Sequence, residues 1–127
     1  MERSYLITMC LLIMHQIDAA YWQEWTMFNL PGGIQVYLLF NIIIIPIILI
    51  GYKSVIIKDH RANMYCYLCA GLGLVTFIIH SVLFILQYKQ FDLPLSKVII
   101  ALCLFSSLYL LVKINSKVNS SNNGLVL

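Results

Sequence analysis

The chain has 127 residues, a length that suits one domain, and 61% of them are hydrophobic while 10% are charged. Soluble domains carry about 25% charged residues, so at a mean hydropathy of +0.90 this chain cannot cover a surface in water. Its net charge of +3 is small and scattered, which gives no reason to expect a nucleic-acid partner; the expected surrounding is the lipid bilayer.

A spanning helix takes roughly 20 mostly apolar residues, and the chain has room for four. The apolar runs predict an all-α membrane four-helix bundle over residues 1–114, with helices at about 4–26, 34–52, 64–88 and 95–113. Residues 115–127, rich in Asn and Ser, are expected to be a disordered cytoplasmic tail. The first run, Ser4 to Ala20, fits a cleaved signal peptide badly. Glu2 offsets Arg3, and His15 and Asp18 interrupt the apolar segment. Its outer end is aromatic, with Tyr21, Trp22, Trp25 and Phe28, as expected where a helix meets the headgroups.

Pro31-Gly32-Gly33 marks a turn. The run that follows, Ile34 to Tyr52, is rich in isoleucine, yet backbone groups in lipid must satisfy one another, so it is expected to be a helix kinked at Pro46. A polar loop holds Lys53, Lys58, Asp59, His60 and Arg61. The third run carries Cys69, Ala70, Gly71 and Gly73, small residues that permit close helix contact. Pro94 opens the fourth.

Four crossings put Arg3, Lys53, Lys58, Arg61, Lys113 and Lys117 on one side, and Lys89 and Lys97 on the other. The positive-inside rule then makes both termini cytoplasmic. A short repeat is also visible: His15 precedes Phe28-Asn29-Leu30-Pro31 much as His80 precedes Phe91-Asp92-Leu93-Pro94. It reads as two tandem helical hairpins.

Ionisable residues inside a membrane segment face the bundle interior and pair with one another. At 1.5 Å per residue, His15, Asp18, Asn41 and His80 come to about 16, 21, 20 and 24 Å from the cytoplasmic ends. Helical phase also puts His15 and Asp18 on one face. These four residues are the expected lining of a polar pocket opening outward. Glu24 lies about 120° from the direction of Asp18 if the helix continues, and joins only if the helix breaks first. Two functions remain open beside a non-enzymatic pocket. Two imidazoles and a carboxylate (His15, Asp18, His80) could ligate Zn or Fe in a metal-dependent membrane enzyme. Cys66 and Cys69, spaced C-x-x-C, could form a thiol redox pair, against the plainer expectation of free thiols filling helix contacts. A second copy of the chain or a membrane-protein partner is compatible with all three.

The stretch His15-x-Ile17-Asp18-Ala19-x-Tyr21-Trp22-x-Glu24-Trp25, followed by Leu30-Pro31-Gly32-Gly33-Ile34-Gln35, resembles a family of small bacterial integral membrane proteins of unknown function marked by a Gly-Gly-Ile-Gln segment. That resemblance implies a four-helix bundle in the bacterial inner membrane and no known activity. A looser similarity is to the HXXEE-motif membrane proteins. Here Asp18-Ala19 stands where that motif has two glutamates, which leaves one carboxylate at the motif.

Overall fold

The computed structural model describes residues 1–88 and 92–123, with side chains through Asn119. It is helical: α1 (Glu2–Tyr21), α2 (Glu24–Met27), α3 (Ile34–Ile56), α4 (Ala62–Ile85) and α5 (Pro94–Asn123). No strand occurs among the described residues. Four long helices and one short one stand where four were expected.

Among the described residues, three segments are long and apolar enough to cross a membrane: α3, α4 and residues Pro94–Asn119 of α5. The first of the four expected crossings, α1, is not among them. Its 20 residues reach about 30 Å, but Ser4, Thr8, His15, Gln16 and Asp18 dilute its apolar character. It buries Tyr5, Thr8, Leu12, His15 and Ala19 instead. Interior position explains the composition, because a helix shielded by its neighbours can carry polar groups that lipid would penalise. α1 touches α3, α4 and α5, while α3 and α5 do not touch each other among the described residues. Around this arrangement, Leu38, Leu39, Ile42 and Ile43 of α3 and Ile78 and Val82 of α4 point outward. So large an apolar surface needs a cover, and lipid supplies one.

Most of the buried apolar side chains gather toward the N-terminal end of α1, where Tyr5, Met9, Leu12, Ile48, Cys66, Cys69 and Leu110 pack together. The Tyr5 hydroxyl donates to the Ile48 carbonyl over 2.8 Å, and α3 is helical straight through Pro46. At Gly73 a side chain would collide with the Ser107 Oγ and come within 3.1 Å of the Cys103 carbonyl. The small residue is what lets α4 approach α5.

Two boundaries differ from expectation in ways that matter. The first helix ends at Tyr21 and not near residue 26, because Gln23 takes a left-handed conformation at φ 53°. The Gln23 amide donates to the Ala20 carbonyl and the Trp22 amide to Asp18, closing the helix end. The last helix runs through Asn123, across most of the segment expected to be a disordered tail. Asn and Ser are mediocre helix formers, but extending an existing helix avoids the cost of nucleating one. Between α2 and α3, Gly32 and Gly33 take φ of 91° and 55°, as the paired glycines of a turn allow.

Candidate functional site

His15 faces inward from the second turn from the end of α1, and His80 from the second turn from the end of α4; both are buried. Their rings meet edge to face with centroids 4.8 Å apart. The fold thus brings together two histidines that lie 65 residues apart in sequence.

The carboxylate beside them is Glu24. Since α1 stops at Tyr21, the chain turns at Gln23 and the one-turn helix α2 folds back over the bundle. α2 is fixed from α3: the Trp25 ring lies 5.3 Å from the Tyr37 ring, centroid to centroid. The Tyr37 hydroxyl in turn donates to the Gln16 carbonyl, and the Leu30 amide to the Trp25 carbonyl. This geometry sets Glu24 Oε1 4.0 Å from His80 Nε2. One ligand atom from each of His15, Glu24 and His80 lies within 4.8 Å of the others. α2 lies outside the three membrane-capable segments. Burial first, and Asp18 nearby second, push the Glu24 carboxyl up to about 7.

His80 Nδ1 is 3.0 Å from the Thr76 carbonyl. A carbonyl only accepts, so that nitrogen carries the proton, and Nε2 turns its lone pair toward Glu24 and His15. Asp18 is placed differently. Its Oδ1 accepts from the Ser96 hydroxyl over 2.9 Å, and the same Ser96 oxygen accepts from the Trp22 indole over 3.3 Å. Asp18 therefore ties the end of α1 to α5 and stands behind the histidines. Asn41 is buried and donates from Nδ2 to the Tyr37 carbonyl at 3.0 Å, one turn back on its own helix.

A cavity of about 310 Å³ opens beside the group. His15, Gln16, Glu24, Tyr37 and His80 line it, as do apolar side chains of α1, α3 and α4; Asp18 and Asn41 do not. The structure thus brings two of the four expected pocket residues to the cavity and adds Glu24. On the sequence, Glu24 joins only if the helix breaks before it, and Tyr21-Trp22-Gln23 contains neither Gly nor Pro to announce the break. The one available signal was the aromatic cluster, which marks where the segment leaves the apolar layer.

Cys66 and Cys69 are free thiols, both wholly buried in the large apolar cluster; Cys103 is buried as well, while Cys10 is exposed. Thiol exchange requires access to the attacking sulfur, and the C-x-x-C pair has none from outside the bundle.

The chain belongs to the family of unknown function DUF6713, whose model matches residues 1–117. No curated protein and no solved structure matches it.

Proposed function

We propose that this is a small multi-pass membrane protein that binds one divalent transition-metal ion, zinc or iron(II), on His15, Glu24 and His80. The observation that carries the reading is the convergence of their ligand atoms within 4.8 Å from three separate elements. The Thr76 carbonyl supports it by setting the tautomer of His80, as second-shell acceptors do for metal-bound histidines. Zinc bonds of about 2.0–2.1 Å set tetrahedral ligand atoms roughly 3.3 Å apart, so modest side-chain rotations draw the three together. Three protein ligands would leave a fourth position for an outside oxygen, and the same three residues line the cavity.

The protein sits in the bacterial inner membrane as a four-helix bundle, α1 crossing with the three more apolar helices and both termini in the cytoplasm. Six Lys and Arg residues on that side against two on the other support the orientation. The cavity and α2 then belong to the outer half.

Metal analysis of protein purified in detergent without chelators tests the binding. The wild type should carry one zinc or iron per chain, and His15→Ala, Glu24→Gln and His80→Ala should each lower occupancy at least tenfold. Asp18→Ala should keep the metal. A wild type free of both metals after supplementation sinks the proposal.

A further inference from the structure

We propose that the cavity beside the histidines holds a single-chain lipid whose head is a neutral oxygen, a hydroxyl or a carbonyl. The choice of head rests on the metal reading above; the choice of chain rests on the cavity alone.

The cavity is graded along its length. Tyr37, Gln16 and Glu24 mark a polar outer end, and Leu12, Ile48 and Leu72 an apolar inner one. From Val36 to Ile48 it follows α3 for twelve residues, about 18 Å at the helical rise. A volume of 310 Å³ is twice the ~150 Å³ of an apolar cavity that holds one benzene, room for a single chain of about a dozen carbons. Two membrane-length acyl chains do not fit, which excludes a diacyl lipid. The cavity has a way in from the bilayer: Val36 and Phe40 of α3 and Val75 of α4 line it and are 38%, 47% and 51% exposed on the lipid-facing surface.

Charge selects the head. A divalent ion on His15, Glu24 and His80 is balanced by two carboxylates, Glu24 as ligand and Asp18 close enough to act on both Glu24 and His80. An anionic head would add a charge with no counterpart in a medium that penalises it. A neutral oxygen fills the fourth position without that cost.

Zinc-loaded protein in phosphatidylcholine nanodiscs, photolabelled with a chain-diazirine analogue of 1-dodecanol, tests the inference. Label should concentrate on the lining residues Phe40, Ile44, Ile48, Leu72 and Val75 and be displaced by 1-dodecanol at a concentration at least tenfold below that of dodecanoate. Ile44→Trp, which fills the cavity away from the metal ligands, should cut labelling at least tenfold and leave zinc content unchanged. Label spread over the outward-facing Ile42, Ile43 and Ile78, labelling undiminished in Ile44→Trp, or equal displacement by dodecanoate would each overturn the inference. Normal zinc content with no label along the cavity overturns this inference alone. Cavity labelling in a zinc-free wild type overturns the metal reading and the assignment of the head.

Discussion

At position 73 the contact between α4 and α5 admits a hydrogen and nothing larger, because a β-carbon there meets Ser107 and the Cys103 carbonyl. Gly73→Ala should therefore lower the unfolding midpoint in detergent by an amount equivalent to about 1–3 kcal/mol, the usual range for overpacking. Trimming the opposing residue in Gly73→Ala/Ser107→Gly should restore part of it. Ser107 alone is a different matter. Its hydroxyl is buried without a hydrogen-bond partner, so Ser107→Ala should be neutral or stabilising in the same melt. A marked loss on Ser107→Ala would mean the hydroxyl has a partner in the membrane. The cysteines make a third case: a membrane-permeant maleimide should modify Cys10 in the native protein and reach Cys66, Cys69 and Cys103 only after denaturation in SDS.

Among the elements, the break between α1 and α2 decides most about the site. Gln23 sits in left-handed backbone at a position where glycine would be relaxed. An L-residue held there costs about 1–2 kcal/mol. Gln23→Gly should thus raise the thermal midpoint and leave metal occupancy alone. Gln23→Val, β-branched and unsuited to positive φ, should weaken metal binding several-fold while circular dichroism shows an unchanged helix content. Equal occupancy in Gln23→Val would detach Glu24 from the break. The same element shows where the sequence was readable. The starts of α3 and α5 were announced by Pro31-Gly32-Gly33 and by Pro94, and the loop between α3 and α4 by its run of charges. Local chemistry dictated those boundaries. The end of α1 was not dictated locally: Trp22 bonds Ser96, which lies 74 residues ahead, and a tertiary contact of that separation leaves no trace in composition or period. His15 and His80 were legible because ionisable groups in apolar runs are rare. Glu24 was hidden because its direction depends on the break.

For the whole molecule, the two halves bear comparison. Each histidine-bearing helix is followed by a glutamine in left-handed backbone, Gln23 eight residues after His15 and Gln87 seven after His80. Lys89 to Phe91, which hold the start of the second Phe-x-Leu-Pro turn, lie outside the described residues. The first turn carries the extra helix α2, so any duplicated hairpin has been modified where the carboxylate enters. Orientation is testable at this scale. A green fluorescent protein fused after Leu127 should fluoresce and an alkaline phosphatase there should be inactive, with both readouts exchanged if the termini face outward. The length of α5 adds a consequence of its own. Thirty residues of continuous helix extend about 45 Å, while the hydrocarbon layer is about 30 Å thick. The surplus, roughly three turns beginning near Lys113, is braced by the bundle: Ile114 is wholly buried and Val118 packs on the cluster around Tyr5 and Leu110. Anything joined to its tip is carried about 15 Å clear of the hydrocarbon, at a fixed bearing to the bundle, so a fluorophore there should report a narrow spread of heights above the lipid.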